Sequence, residues 1–149
     1  MTSVAPYRQT YWDWRAASNF MFGGTGSGLL IVSPLIALDG GPVRAFVLVG
    51  LGLIALGLTL VWHEIGKRLR ALNVFRHPHL SWMTRESFAA MATFLAGGAT
   101  VWWGGVTLSI IAGLCAVSFV YCQGRILLAS KGIPAWREKT TLPLIMVTG

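Results

Sequence analysis

Charged residues are scarce in this chain. Only 11% of its 149 residues are charged and 54% are hydrophobic, with a mean hydropathy of +0.63. Soluble domains carry charge on about a quarter of their residues, so this composition excludes an ordinary soluble fold. With 12 Lys and Arg residues against 5 Asp and Glu residues, the net charge is +7. The basic residues lie between apolar segments and form no continuous stripe. That distribution argues against nucleic-acid binding.

Cysteine and histidine are also scarce. Cys115 and Cys122 are seven residues apart and form no CxxC pair, so we predict buried thiols and no iron–sulfur cluster. The three histidines, His63, His77 and His79, fall in or beside one loop. Haem held by two histidines needs imidazoles on facing helices. The sequence therefore predicts no haem in this chain.

Long apolar segments make up most of the chain. Four of them cover residues 19–38, 43–62, 88–103 and 106–128, and the third can extend back through Ser87 and Glu86. Their continuous Leu, Ile, Val, Ala and Gly runs lack the alternation of barrel strands, so each is predicted to be a transmembrane helix. A fifth apolar run begins near residue 141 and stops well short of the roughly 20 residues that a span needs. We predict an all-α, polytopic membrane helical bundle of four transmembrane helices plus the start of a fifth, in a single transmembrane domain over residues 1–149.

Basic residues are distributed unevenly around these spans. Eleven of the 12 Lys and Arg residues lie on one side, and Arg44 alone lies on the other. The positive-inside rule therefore predicts a cytoplasmic N-terminus and cytoplasmic basic loops. The tryptophans fall near predicted span ends, where their rings favour the headgroup layer.

Small residues and turn residues give further expectations. Pairs spaced four residues apart predict close helix packing, and these are Gly24 with Gly28, Ala92 with Ala96 and Ser109 with Gly113. Pro34 is expected to kink the end of the first helix, and residues 39–42 are expected to form a turn.

The stretch from His63 to Glu86 holds the ionisable groups best suited to chemistry. His63 and Glu64 end one span while Arg85 and Glu86 begin the next, so a helical hairpin would bring them together at one membrane face. A quinol gives up two electrons and two protons, and His or Glu near lipid can pass those protons. The spacing is compatible with a quinone site. The same charges could instead snorkel, pair with each other and end the helices.

A resemblance supports the quinone interpretation. The sequence Ser81-Trp82-Met83-Thr84-Arg85-Glu86 resembles the Ser-Trp-Leu-Ser-Arg-Glu signature that opens the third helix in membrane anchors of the DMSO reductase and polysulfide reductase superfamily. Residues 63–68 are similar to the His-Leu-Gly-Arg-Pro segment of these anchors, although Glu64 and Lys67-Arg68 replace the usual residues. The glycine-rich first span and residues 125–136 also resemble them. Such anchors have about eight spans of roughly 20 residues, so the chain resembles their N-terminal half plus the beginning of helix five.

The resemblance implies a function and partners. In this family a molybdenum subunit performs the substrate chemistry, an iron–sulfur subunit conducts electrons, and a metal-free anchor exchanges them with menaquinone or ubiquinone in the bacterial inner membrane. The resemblance implies that His63 and Glu86 are quinone-site candidates, that Arg85 is their charge partner, and that Arg70 and Arg76 dock the iron–sulfur subunit. The chain itself would be a non-catalytic, quinone-reactive subunit.

Orientation narrows the choice within the family. Because the loop that holds the signature is predicted to be cytoplasmic, the partner enzyme is expected in the cytoplasm. Among such members, residues 11–17 look most like the membrane subunit of phenylacetyl-CoA:acceptor oxidoreductase, with sulfite-oxidising complexes as a second choice.

Two alternatives stay open at this point. One is a structural membrane-assembly subunit without its own redox site, which would have the same spans and the same docking loop. The other is a small four-helix transporter. A transporter usually places an acidic residue well inside a span, whereas Glu64 and Glu86 lie at predicted span ends.

Overall fold

The computed structural model describes residues 14–64, 81–130 and 138–148, and this part of the chain contains five α-helices. They are α1 (Trp14–Leu38), α2 (Val43–Glu64), α3 (Trp82–Trp103), α4 (Val106–Ala129) and α5 (Thr141–Thr148). No residue of the described ranges is in a strand. The all-α prediction is confirmed, and each predicted span lies within one of the first four helices.

Three helices of the described part are long and apolar enough to cross a membrane, namely α1, α2 as far as His63, and α4. α3 has 22 residues, as many as α2, but it includes the Arg85–Glu86 pair and several Thr and Gly residues, which make it less apolar. α5 has eight residues, fewer than a crossing requires. Three of the four predicted spans therefore lie in helices that are long and apolar enough to cross a membrane.

Two helices begin earlier than predicted. α1 begins at Trp14 and α3 at Trp82, whereas the apolar segments begin only at residues 19 and 88. The apolar run marks the part of a helix that suits hydrocarbon, while amphipathic and charged residues can continue the helix into the headgroup layer. Arg85 and Glu86 consequently lie within the first two turns of α3.

Two short turns make neighbouring helices antiparallel. Residues 39–42 join α1 to α2, with Gly40 at φ +71°, and Gly104 and Gly105, at φ +73° and +96°, join α3 to α4. Positive φ is strained for residues that carry a Cβ, so glycine permits both turns. A Cβ added to Gly104 would lie 3.6 Å from Arg44 Nη2 at the start of α2, so both turns lie at one end of the bundle, the turn end. The predicted turn at residues 39–42 is confirmed.

The four long helices form a ring. α1 packs against α2 and α4, α3 packs against the same two helices, and α5 packs against α4. The starts of α1 and α3 and the ends of α2 and α4 therefore meet at the end opposite the turns. We call this the Glu86 end, and it corresponds to the face that the sequence predicts to be cytoplasmic.

Glycines allow α1 to approach its two neighbours closely. A Cβ added to Gly26 would lie 2.5 Å from the backbone oxygen of Gly50 in α2. On the α4 side, a Cβ added to Gly113 would lie 3.2 Å from the backbone oxygen of Leu30. Close backbone approach is the expected mode of helix association in lipid. The α1–α2 contact uses Gly26, which lies between the two glycines that the spacing singled out.

Pro34 lies inside α1, which continues to Leu38. Proline has no N–H group, so the carbonyl of Leu30, four residues earlier, loses its helical donor. Ser33 Oγ donates a hydrogen bond to that carbonyl at 2.8 Å. The serine hydroxyl thus replaces the missing backbone donor in a buried part of the helix.

Large hydrophobic side chains cover the outside of the bundle. Met21 is 71% exposed, Leu95 69% and Leu114 63%, whereas small residues such as Ala112 and Ala116 pack with Leu30 in the interior. Soluble proteins rarely expose apolar surface on this scale. The arrangement suits a bundle surrounded by hydrocarbon.

Candidate functional site

A polar cluster is buried at the Glu86 end, with one residue from each of three helices. Asn19 of α1 is 5% exposed, Glu86 of α3 7% and Gln123 of α4 1%. The carboxyl group of Glu86 interacts with the side-chain amides of Gln123 and Asn19. Gln123 Nε2 also donates to the backbone oxygen of Asn19 at 3.4 Å. Polar groups in membrane helices are expensive and commonly functional, so this cluster is the candidate site.

The cluster does not satisfy all its polar atoms. Glu86 Oε1 and Asn19 Oδ1 are buried and have no hydrogen-bond partner in the described part of the chain. Leaving one such acceptor unpaired costs about 1–3 kcal/mol. A protonated carboxyl group carries one O–H donor, whereas an ionised one only accepts. A change in the protonation of Glu86 therefore changes which hydrogen bonds this cluster can make.

Two glycines make room for the cluster. A Cβ added to Gly23 would lie 2.5 Å from Gln123 Nε2, and one added to Gly57 would lie 3.2 Å from Asn19 Oδ1. Gly57 belongs to α2, so all four helices of the ring contribute to the site. A larger residue at Gly23 would have to displace the amide of Gln123.

A cavity of about 330 Å³ lies beside Gln123, between α1, α4 and α5. Its lining is apolar except for a few side chains, and comprises Phe20, Met21, Gly24, Thr25, Gln123, Leu127, Ile145 and Thr148. Pockets for small ligands are typically apolar with a few placed polar groups. Gln123 lies in the wall of this cavity and also contacts Glu86, so it connects the cavity to the buried carboxyl group.

His63 shares no hydrogen bond with the cluster in the described part of the chain. It is exposed in the last turn of α2, where its Nδ1 is 2.8 Å from the backbone oxygen of Thr59, and its ring meets Trp62 edge-on at 5.7 Å between centroids. Glu86 instead faces Asn19 and Gln123, and no hydrogen bond or ion pair between described residues joins it to His63. His63 at the end of α2 and Glu86 at the start of α3 therefore both lie at the Glu86 end, but they do not form a pair. The predicted quinone role of His63 stays a prediction.

Arg85 also lies outside the cluster. It is exposed, and its Cζ lies 4.3 Å from the centroid of the Trp82 ring. Arg125 of α4 stacks on the same ring at 4.6 Å. Arg70 and Arg76, predicted to dock an iron–sulfur subunit, lie outside the described residues, so their role stays a prediction.

Sequence reasoning missed Asn19 and Gln123. A signal for them was present, because they are the only carboxamide side chains within the predicted spans, and polar residues inside a membrane usually face the bundle interior. Their partnership with Glu86 depends on the rotation of three helices about their axes. The apolar pattern fixes that rotation poorly when every helix is hydrophobic on all sides.

The two cysteines do not form a disulfide. Both are free, with Cys122 buried and Cys115 half-buried, so the prediction of a buried thiol is confirmed for Cys122. Within the described ranges there is no group of three or more His, Cys, Asp and Glu residues that could hold a metal ion.

Comparison of the chain with protein-family models and with curated proteins finds no match. The resemblance to the anchors of the DMSO reductase and polysulfide reductase superfamily therefore rests on the sequence motifs alone.

Proposed function

We propose that this chain is the membrane anchor and quinone-binding subunit of a cytoplasm-facing molybdenum and iron–sulfur oxidoreductase. In this proposal α3 also crosses the membrane, α5 begins a fifth span, and the chain passes electrons between the iron–sulfur subunit and membrane quinone. The observation that supports it most is the position of Gln123, between the buried carboxyl group of Glu86 and an apolar cavity. A quinone site needs both features, an apolar pocket and a group that exchanges protons.

The residues present fit a quinone headgroup. An engineered apolar cavity of about 150 Å³ holds benzene, so the cavity of about 330 Å³ beside Gln123 is large enough for a substituted ring. A bound quinone supplies two-electron, two-proton chemistry. Thr25, Thr148 and Gln123 provide the polar groups of the lining, and an amide N–H of Gln123 can donate to a carbonyl oxygen.

Glu86 is the proton-exchanging group in this proposal. Its Oε1 has no hydrogen-bond partner in the described chain, so it can accept a proton without breaking an existing bond. It lies at the predicted cytoplasmic face, close to the aqueous phase that must supply or receive the proton. Gln123 and Asn19 hold the carboxyl group in place, which is the positioning that proton transfer requires.

A proton-coupled transporter is the second candidate. The sequence-based objection to a transporter is that the acidic residues lie at predicted span ends and none lies well inside a span. Glu86 lies in the second turn of α3 and is 7% exposed, and a buried carboxyl group between helices is the feature that exchanges protons for cations. The transporter reading needs no partner subunits and no bound quinone, and this difference makes the two functions separable.

The experiment that tests the proposal is purification of the tagged full chain from its native membrane in mild detergent. We expect iron–sulfur and molybdenum subunits to co-purify, and organic extraction to yield a stoichiometric quinone. Gln123→Leu should lose most of that quinone, because it removes the polar group that the cavity shares with Glu86. Ser118→Ala, an exposed change on the same helix, should retain it. A chain that purifies alone and without quinone would contradict the proposal.

A further inference from the structure

Two arginines from different helices meet on one tryptophan at the Glu86 end. Trp82 is the first residue of α3, and Arg85 Cζ lies 4.3 Å from its ring centroid. Arg125, near the end of α4, places its Cζ at 4.6 Å from the same centroid. Tyr121, one turn before Arg125, meets the ring edge-on at 6.0 Å. Both guanidinium groups therefore stack on one aromatic ring.

The positive charge of this pair is not matched by a carboxylate of the cluster. Glu86 directs its carboxyl group toward the amides of Gln123 and Asn19. Arg125 Nε is buried and has no hydrogen-bond partner in the described chain. A phosphate group that contacts both arginines is attracted by two positive charges, and the attraction is strong where the dielectric constant is low. Guanidinium groups bind phosphate through paired hydrogen bonds.

We propose that Arg85, Arg125 and Trp82 form a binding site for the phosphate group of an anionic phospholipid. This inference is independent of the quinone proposal, because it concerns the outer face of α3 and α4 and not the cavity beside α5.

Exposed apolar residues descend from each arginine toward the middle of the bundle. On α3 the face below Arg85 carries Phe88 and Leu95, which are 38% and 69% exposed. On α4 the face below Arg125 carries Tyr121 and Leu114, which are 39% and 63% exposed. The Trp82–Tyr121 contact places the start of α3 against this part of α4. Acyl chains of a lipid whose phosphate binds the arginines would extend along these side chains, and a free phosphate ion would not.

The depth of the site agrees with a lipid headgroup. Trp82 begins α3 next to the loop that the positive-inside rule places in the cytoplasm, and tryptophan favours the headgroup layer. The cytoplasmic leaflet is rich in anionic lipids, and these attract arginine. A zwitterionic choline lipid offers the same phosphate with a cation attached, so the arginine pair should prefer phosphatidylglycerol to phosphatidylcholine.

The test is lipid retention by the full chain in native mass spectrometry, after reconstitution with equal amounts of phosphatidylglycerol and phosphatidylcholine. Wild type should retain phosphatidylglycerol preferentially. Arg85→Gln and Arg125→Gln should each weaken retention roughly tenfold, the effect of losing one charge-assisted contact. Arg44→Gln, which removes one positive charge at the turn end, is the matched control and should behave as wild type. Unchanged retention in the Arg85→Gln, Arg125→Gln double variant would overturn the proposal.

Two further arms keep the result interpretable. Inorganic phosphate, added at the concentration of the lipid, should not displace phosphatidylglycerol, and full displacement would identify a free-anion site and overturn the lipid assignment. If circular dichroism shows that a glutamine variant has lost helicity, the lipid-retention measurement is made with Arg85→Lys and Arg125→Lys instead. Lysine keeps the charge but lacks the planar fork, so these variants should retain less lipid than wild type, and equal retention would overturn a guanidinium site.

Discussion

Gln123 of α4 bridges to the start of α1, where its Nε2 donates to the backbone oxygen of Asn19 at 3.4 Å. The two residues are 104 positions apart, so this contact joins the first and last long helices of the ring. The same amide interacts with Glu86 of α3. Three helices are thus tied together through one buried side chain at the Glu86 end.

Replacing Gln123 with leucine should destabilise the bundle. Leucine has a similar volume but no donor, so Glu86 and Asn19 lose the partner that offsets their burial. We expect a loss of about 1–3 kcal/mol, the cost of leaving a buried polar group unpaired. Denaturant-induced loss of helicity in detergent measures it. Ser118→Ala should change stability little, because that hydroxyl bonds to its own helix on an exposed face. Equal stability of Gln123→Leu and wild type would show that the bridge is energetically neutral.

Gly26→Ala should separate α1 from α2. The added Cβ would lie 2.5 Å from the backbone oxygen of Gly50, and a backbone atom cannot move aside as a flexible side chain can. Overpacking of this kind costs about 1–3 kcal/mol. The control is Gly52→Ala on α2, where a Cβ meets nothing within 4 Å and alanine favours the helix by up to about 1 kcal/mol. The two variants should shift the thermal unfolding midpoint in opposite directions, and a shared direction would contradict this packing.

The orientation can be read with fusion reporters. A reporter placed after Arg76 should report a cytoplasmic location and one placed at Gly41 an external location, because all but one of the basic residues lie on the Arg76 side. The two fusions control for each other. Because their sites lie on opposite sides of the membrane, a reporter that is active only in the cytoplasm should be active in one fusion and inactive in the other. The reverse pattern would remove the argument for a cytoplasmic partner enzyme.

The sequence predicted the helices well where apolar runs are bounded by turn residues. The predicted second and fourth spans begin at Val43 and Val106, where α2 and α4 begin in the structure, because the residues before them, Pro42 and Gly105, end the preceding turns. The early start of α3 at Trp82 was less predictable, because polarity near Arg85 marks the membrane boundary and not the helix boundary.

The sequence singles out one residue of the candidate cluster. Glu86 is conspicuous because it is an ionisable residue beside a span. Its partners are not singled out, because hydrophobic periodicity gives no direction to helices that are apolar on all sides. The sequence-based pairing of Glu86 with His63 followed from their nearness at one hairpin. In the structure His63 bonds to its own helix, whereas Glu86 faces α1 and α4. The two side chains point in different directions, and spacing along the chain does not predict those directions.

The role of His63 can be separated from that of Glu86 by substitution. The sequence-based prediction is that His63→Ala weakens quinone binding, because it removes a hydrogen-bond partner. The placement of His63 on the exposed end of α2 predicts a smaller effect than Glu86→Gln. The measurement is quinone affinity of the purified complex for both variants. A loss in His63→Ala as large as in Glu86→Gln would extend the site to α2.

The most direct test of the proposed function is the quinone turnover of the intact complex carrying Glu86→Gln, measured beside electron transfer to a soluble artificial dye. Glutamine keeps the shape of the side chain and its contacts with Gln123 and Asn19 but cannot exchange a proton. Loss of a positioned acid or base lowers a rate by about 100-fold or more. We predict quinone turnover reduced to that extent, with subunit assembly and dye reduction unchanged. Wild-type quinone turnover in the assembled variant would contradict the assignment of Glu86 as the proton-exchanging group of a quinone site.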